Sequence, residues 1–470
     1  MNNIMFLARL LVLFSLVCIS CAHSSFEQKQ LKHALDFATS NRLELEILLQ
    51  HYTYDSLKLE AAKFLIRNMP HCYSYQQGGE MDSVKRVRTY YSPFGQIDQT
   101  YARRWGHYTY RNLPKIYDAH IITAEYLIDN IDRAFDNWQK RPWNRSLSFE
   151  DFCEYLLPYR IGDEPLEEWR ELYEKKYGYL LDSIYKGSDV VEAANLVSRH
   201  LQEPVFIYCE DFELPHIGPR YLFSHRYGSC VDAADIVTYA FRAVGIPCME
   251  DTDARGGHVW NVVRDTTGRD VPIWYIASEA VRGSRDTGGY KRGKVYRPMY
   301  GFQEEKAAHL GDDWKSMPLL FYHPYMKDVS YAYYPDTLRI LTGIPDDEVC
   351  YLAHFHEAHW WSCACARSAS GKMEIPNLES ELVYLPMKYT KGNYYPSGFP
   401  FWFAGGEINT FLPDWEKTVK VRLYRKYPVY GWLRSFMGHV VGGTFEGSMT
   451  KNFEDGKTLY EIADTPVIAC

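Results

Sequence analysis

Two residues of the chain have the type and the setting for nucleophilic chemistry, and the first is Cys230. An apolar helical stripe begins at Cys230 and ends before Gly245 and Pro247. Ser229 can cap this helix together with Asp232, so Cys230 falls on its first turn. The helix dipole there favours a thiolate and lowers the thiol pKa. The backbone N–H groups of the same turn could stabilise an oxyanion.

The second residue is His258, which opens an alternating apolar run typical of a strand. The stretch 265–270 predicts the turn that follows, and 271–276 predicts the return strand. A cysteine at a helix start with a histidine on a following strand suits a cysteine nucleophile and its base. Taken alone, such a pair is more often structural, because reduced cysteines are frequently just buried.

A second histidine cluster suggests a metal, although its spacing is wrong for one well-known site. His354, His356 and His359 surround Glu357. A zinc protease motif needs His-Glu-x-x-His on one helical face, and here the second histidine comes one residue too soon. Strand residues in an aromatic-rich sheet are the favoured interpretation. The alternative is a metal site completed by nearby cysteines, namely Cys350, Cys363 and Cys365.

Aromatic residues are abundant and have two possible roles. They make up 16% of the chain, with 39 Tyr and 12 Trp. Trp360-Trp361 and the run 399–403 could form a platform for stacking sugars. The favoured interpretation is packing in the core of a β-sandwich, because aromatic side chains suit strands.

The composition excludes several classes of protein. The chain has 470 residues, of which 46% are hydrophobic and 24% are charged. These values are ordinary for a soluble globular protein and exclude a disordered or collagen-like chain. The net charge of −8 argues against nucleic acid as a partner. A chain of this length is expected to form two to four domains.

The first 21 residues predict export rather than structure. Arg9 precedes an apolar run over 10–19 that is too short to span a bilayer. Cys21, after the small residue Ser20, resembles a bacterial lipobox, so Cys21 would carry the lipid. The alternative is ordinary cleavage after Ala22. We expect a protein of the cell envelope, at the periplasmic or outer-membrane surface, that contacts the membrane only through a lipid anchor.

Nine of the 11 cysteines remain after this signal segment, so at least one thiol stays unpaired within a monomer. No Cys-x-x-Cys pair exists among them, which disfavours a zinc ribbon. Their density is too low for a disulfide scaffold. The sequence leaves the disulfide pairing open.

Helical patterns dominate the first half of the chain and short alternating runs dominate the region after Pro318. Helices are predicted within 25–70, 117–139, 148–157 and 164–203. Residues 84–111 are expected to form a solvated loop. An all-β region is predicted over about 330–430 and includes the runs 338–341, 382–389 and 419–423.

The expected organisation is a signal peptide, a helical region, a core and β modules. The predicted domains are 1–21 for the signal peptide, 22–160 for the helical region, 161–315 for the core, 316–430 for a β-sandwich-like domain and 431–470 for a further small β segment. The predicted fold class is α+β.

Residues 228–273 resemble the core of the transglutaminase-like superfamily. The resemblance rests on Gly-Ser-Cys at the start of the helix, the Arg-Ala-Val-Gly-Ile-Pro exit at 242–247, and Gly-Gly-His-Val-Trp-Asn at 256–261. It implies a papain-like fold in which a helix that carries Cys230 packs on an antiparallel sheet that carries His258. The flanking regions resemble those of exported transglutaminase-like proteins of Bacteroides-type bacteria.

The resemblance implies Cys230 as nucleophile and His258 as base, with no cofactor and no metal. The implied reaction is hydrolysis or transfer at an amide of a peptide, protein or glycoprotein, with hydrolysis the default outside the cell. The alternative is a degenerate core that serves as a cell-surface binding or scaffolding protein for glycan or protein.

One position departs from the pattern of the family. Members place an acidic residue or Asn on the return strand, just after a Val-Pro-hydrophobic step. Here that step is Val271-Pro272-Ile273, and Trp274 follows it. Asp270 comes too early and Glu279 too late to replace the missing group. Either another residue orients His258 or the site is slow or inactive.

Overall fold

The computed structural model describes most of the chain from residue 26 onward. The described residues are 26–79, 81–83, 85, 110–203, 205–208, 214–255, 257–274, 276, 278–284, 291–303, 317–341, 346, 348–356, 359–414, 416–417, 444–450 and 454–461. The predicted export signal with Cys21, nearly all of the predicted loop 84–111 and the predicted strand 419–423 lie outside them.

The protein belongs to the α+β class, as predicted, because it combines helices with antiparallel sheets. It divides into two compact units. Unit 1 comprises 1–290, 296–309 and 324–327, and unit 2 comprises 291–295, 310–323 and 328–470. Both the predicted helical region and nearly all of the predicted core therefore fall in unit 1.

The helices are concentrated in unit 1 and begin at residues that can cap them. Thr123, Ser148 and Asp189 each accept a backbone N–H of the first turn through a side-chain oxygen. The helices are α1 (26–37), α2 (Arg42–His51), α3 (Ser56–Asn68), α4 (Ala124–Lys140), α5 (Phe149–Tyr155), α6 (Arg170–Tyr179), α7 (Val190–His200), α8 (Pro219–Ser224), α9 (Cys230–Val244) and α10 (Leu319–Tyr322).

The predicted helical stretches are confirmed in their main parts and trimmed at their starts. Residue 117 ends a strand, and the helix predicted from there begins only after the cap residue Thr123. The stretch predicted over 164–203 is divided, because α6 ends in a π-helical turn at Leu180–Ile184 before α7 begins.

The strands form two larger sheets and several pairs. Their order is β7-β6-β5-β8-β9 in the first sheet and β12-β11-β14-β16-β17 in the second, where β15 also pairs with β14. The strands of the first sheet are β5 (Cys248–Asp253), β6 (Val259–Arg264), β7 (Asp270–Ile273), β8 (Val295–Pro298) and β9 (Met326–Asp328).

The second sheet lies in unit 2 and confirms the predicted all-β region over its described part. The runs predicted at 338–341 and 382–389 are strands β10 and β14. The strands of the second sheet are β11 (Val349–His356), β12 (His359–Arg367), β14 (Leu382–Thr390), β15 (Asn393–Pro396), β16 (Phe401–Ala404) and β17 (Glu407–Thr410). Strand β10 (Leu338–Leu341) pairs separately with β13 (Lys372–Ile375). The short pairs elsewhere are β1 (Tyr73–Tyr75) with β2 (Lys115–Tyr117), β3 (Ile207–Tyr208) with β4 (Tyr227–Gly228), and β18 (Thr444–Gly447) with β19 (Lys457–Glu461).

Helix α9 is the central element of unit 1. The sequence predicted one apolar stripe, but every residue of α9 from Asp232 to Val244 is buried. Aromatic rings of α6 pack against one side, with the Tyr173 and Tyr239 centroids 5.7 Å apart. The sheet covers another side. Such enclosure is typical of a core helix, and it means that polar residues of α9 need internal partners.

Gly245 ends α9 at a place where no side chain fits. Its φ is +81°, and a Cβ there would lie 2.8 Å from Cγ of Arg141 and 2.9 Å from the carbonyl oxygen of Asn137. Gly268 has a similar φ of +77° but no heavy atom within 4 Å of the equivalent position. The two glycines therefore share a left-handed backbone and differ in crowding.

We expect Gly245→Ala to destabilise the protein by about 2–4 kcal/mol, since it adds overpacking to the backbone penalty. Gly268→Ala is the matched control and should cost only about 1 kcal/mol. Urea denaturation followed by circular dichroism measures both. Equal costs at the two positions would show that crowding at Gly245 has no energetic weight.

Candidate active site

The start of α9 is tightly organised around Cys230. The backbone N–H of Ser229 donates to Oδ2 of Asp232 over 2.7 Å, and the N–H of Val231 donates to Oγ of Ser229 over 3.2 Å. This is the predicted capping box. Gly228 precedes it because a Cβ there would collide with the Asp232 carboxylate. Cys230 is consequently fixed on the first turn, with its side chain half-buried.

A buried polar cluster holds α9 on the sheet. The side-chain amide of Asn261 on β6 donates to the carbonyl of Ala234 over 3.0 Å and to Oγ1 of Thr238 over 2.9 Å. Thr238 in turn donates to Oε1 of Glu250 on β5 over 2.7 Å. These bonds fix both the rotation of α9 about its axis and its position along β6.

Cys230 and His258 lie at the same end of this layer. Cys248 pairs with Val263, so the last residues of β6 lie beside the end of α9, and β6 runs parallel to the helix. Cys230 precedes Ala234 by one helical turn, about 6 Å. His258 precedes Asn261 by three strand residues, about 10 Å. Both elements therefore begin toward the same end of the layer.

The imidazole of His258 lies along an aromatic row. Its centroid is 5.8 Å from that of Trp260, with the rings 26° from parallel, and Trp260 lies 5.2 Å from Trp274. Asn261 and Val263 face α9, so alternation directs Trp260 to the opposite face of the sheet. The ring of His258 therefore lies on the same face of the sheet as Trp260, which is the face opposite α9.

Three details of the predicted hairpin need correction. Strand β6 begins at Val259 instead of His258, and β7 ends at Ile273 instead of continuing to 276. The register pairs Asn261 with Ile273, which brings Trp274 opposite Trp260 and diagonal to His258. The predicted turn is present but ends one residue earlier, at 269, because Asp270 already pairs with Arg264 as the first residue of β7. Oδ1 of Asp265 closes it by accepting the backbone N–H groups of Thr267 and Arg269.

The two acidic residues nearest in sequence to Trp274 are engaged elsewhere. Asp270 accepts from Arg297 over 2.8 Å and from the hydroxyl of Tyr155. Glu279 forms an exposed ion pair with Arg199. Neither of the two supplies the acidic partner that the sequence pattern places on the return strand.

Most of the described cysteines are buried, and none of them is in a disulfide. Burial raises the pKa of Cys72 and Cys248 to about 12 and that of Cys350 to about 11. Cys248, the first residue of β5, is fully buried. Cys230 and Cys365 are the two described thiols that retain partial exposure.

Sequence reasoning missed a buried ion pair on a different side of α9. Nδ1 of His216 lies 2.9 Å from Oδ2 of Asp235, which is fully buried. Burial alone would lower the pKa of His216, but the Asp235 carboxylate raises it well above its usual value. Asp235 follows Cys230 by five residues, about 140° around the helix, so this pair points away from the thiol. The only sequence signal was an aspartate inside an apolar helix.

The histidine cluster of unit 2 lies on strands, which is the interpretation that the sequence favoured over a metal site. His354 and His356 are on β11 and His359 opens β12. Among the described residues no group of His, Cys, Asp and Glu is arranged to hold a metal ion. In the same described part of the chain, no helix has the length and apolar character needed to cross a bilayer.

The aromatic run of unit 2 is divided between the core of the sheet and its surface. Phe401 and Phe403 are buried in the sheet, whereas Phe399 and Trp402 remain 37% and 38% exposed. Phe399 lines a groove of 510 Å³ together with Trp360 and Phe411. The residues that line this groove carry no charge.

Comparison with protein-family models, curated proteins and solved structures gives no match for this chain.

We expect Cys230 to be the most reactive of the described thiols, because the first turn of a helix stabilises a thiolate. Iodoacetamide at pH 7.5, followed by peptide mapping, should modify Cys230 well before Cys365. Cys72, Cys248 and Cys350 should stay unmodified in the folded protein. Faster labelling of Cys365 than of Cys230 would contradict the assignment.

Glu250 predicts a pH dependence of stability. Burial, and then the neighbouring Asp235, raise its pKa to about 8. The folded state therefore resists ionisation of Glu250, and its contribution to stability is lost as the pH rises from about 4.5 through 8. Glu250→Gln cannot ionise. Relative to wild type it should gain roughly 2 kcal/mol between pH 6 and pH 9.

The control for that comparison is Glu279→Gln, which removes an exposed carboxylate. Its stability relative to wild type should not change over the same pH range. Parallel stability curves for wild type and Glu250→Gln would show that Glu250 is ionised normally in the fold.

Proposed function

We propose that the protein is a cysteine-dependent amide hydrolase or acyltransferase, with Cys230 as nucleophile and His258 as its base. The observation that carries the proposal is the shared location of the two residues. Cys230 lies part-exposed on the capped first turn of α9. His258 immediately precedes β6, which runs in the same direction as α9, so both residues lie toward one end of the same layer. The resemblance implies the same two elements, and the imidazole here packs along Trp260 on the face of the sheet opposite α9.

The proposed reaction has two halves. The thiolate of Cys230 attacks the amide carbonyl, and the backbone N–H groups at the start of α9 stabilise the oxyanion. His258, which has taken the proton of the thiol, donates this proton to the leaving amine. The acyl group then remains on Cys230 as a thioester. Water, or a second amine, then attacks the thioester and loses its proton to His258, which releases the acyl group and restores the thiol.

One local charge opposes this chemistry. The Asp232 carboxylate caps the same turn and disfavours a second negative charge on Cys230. An imidazolium at His258 would offset it. The base is therefore needed both to accept the proton and to stabilise the thiolate. His258 must reach the thiol around the start of β6, on the side opposite its contact with Trp260.

A binding role without catalysis is the second candidate function. Two observations favour it: Trp274 where the resemblance places an acceptor, and the uncharged aromatic groove of unit 2, which suits a neutral glycan or an apolar peptide segment. Under this alternative, Cys230→Ala would leave the function of the protein intact.

Turnover of a panel of fluorogenic peptide amides and activated esters tests the proposal. Cys230→Ala and His258→Gln should each lower kcat/KM by about 10³-fold or more. Cys365→Ala removes the other part-exposed thiol among the described cysteines, so it is the matched control and should retain full activity. Equal turnover by wild type and Cys230→Ala would reject the nucleophile.

A further inference from the structure

The residue that opposes His258 across the sheet is Asp253. The β5–β6 register pairs Asp251 with Trp260 and Thr252 with Val259. The next step brings Asp253 opposite His258, and the N–H of Asp253 donates to the carbonyl of His258 over 3.4 Å. Directly opposed residues share one face of a sheet, with their Cβ atoms about 5 Å apart.

The Asp253 carboxylate holds the turn that leads to His258. Its side chain is almost fully buried. Oδ1 accepts the backbone N–H groups of Arg255 and Gly257, each over 2.9 Å, and Oδ2 accepts Nη2 of Arg255 over 3.0 Å. An ionised carboxylate offers about four acceptor sites, so these three bonds leave capacity for another donor.

We propose that Asp253 is the positioning residue for His258. It would take the role of the acidic residue that the family places on the return strand, where this chain has Trp274. This inference rests on the proposed function of His258 as a base. Asp253 fixes the backbone on which the imidazole is carried and places a negative charge on the same face of the sheet. The Arg255 guanidinium shares that carboxylate and reduces its effect on the imidazole.

Two other described carboxylates on this face are bound by Arg297. Asp251 accepts two hydrogen bonds from Arg297, at 2.5 and 3.0 Å, and Asp270 accepts from the same guanidinium. Asp253 is the acidic residue of β5 that lies at the His258 end of the strand. It could not be found by a pattern search along the return strand, since it precedes His258 in the chain.

The experiment compares Asp253→Asn with Asp265→Asn. Asp265 closes the turn at the other end of β6 in the same way, since its carboxylate accepts the backbone N–H groups of Thr267 and Arg269 and the side chain of Arg282. The imidazole of His258 is titrated by NMR, and its signal is assigned by its loss in His258→Gln. Circular dichroism confirms that each variant is folded.

Asp253→Asn keeps an oxygen for the turn but removes the charge. It should move the titration midpoint of His258 to lower pH by about one unit, since a nearby carboxylate favours the imidazolium. Asp265→Asn should leave that midpoint in place. An unmoved midpoint in folded Asp253→Asn would overturn the inference.

If Asp253→Asn does not fold, Asp253→Glu and Asp265→Glu replace the pair. The longer side chain moves the charge, so the first should still shift the midpoint and the second should not. A shift in both, or in neither, would overturn the inference.

The titration needs no substrate, so the two proposals fail separately. A shifted midpoint in a protein without turnover would reject the proposed function and keep Asp253 as the partner of His258. Turnover that depends on Cys230, together with an unmoved midpoint, would keep the function and reject Asp253. If both hold, Asp253→Asn should lower kcat at least tenfold with KM nearly unchanged, because the substrate-binding surface is intact.

Discussion

The side-chain amide of Asn261 is the interaction on which the candidate site depends. It lies between α9 and the sheet and donates to both Ala234 and Thr238. Loss of a buried donor leaves its acceptors unsatisfied, at a cost of about 1–3 kcal/mol. The greater importance of the Asn261 amide is geometric. Because the bonds join one turn of α9 to one residue of β6, they fix which side of the helix faces the sheet and where Cys230 lies relative to His258.

The polar groups around α9 follow from its complete enclosure. A helix buried on all sides cannot direct its polar residues to water, so Asp235 and Thr238 find partners inside the fold. Glu250 meets the same demand by staying protonated near neutral pH, as its raised pKa shows. On the opposite face of the sheet, Asp251 is balanced by Arg297.

The sequence predicted the elements that local signals define. The cap at Ser229, the box residue Asp232 and the stop at Gly245 fixed α9 to the residue, because capping and left-handed glycines act within one turn. The alternating runs of β10 and β14 were equally local. The predicted turn at 265–270 also lies where its Asp and Gly residues placed it.

The sequence could not predict what depends on register and face. The positions of Asp253 opposite His258 and of Trp274 opposite Trp260 follow from strand pairing, which a linear pattern does not specify. The His216–Asp235 pair joins residues of separate elements in the same way. The class of reaction stays a proposal, because it rests on the resemblance and on the shared location of Cys230 and His258.

The pH dependence of Cys230 alkylation tests the central claim most directly, because it reports a thiol–imidazole pair without any substrate. In wild type, the rate should keep a plateau well below pH 8, where the thiolate persists beside an imidazolium. In His258→Gln that plateau should vanish, and the rate should rise only with the ionisation of an isolated thiol. Superimposable profiles for the two proteins would contradict the account.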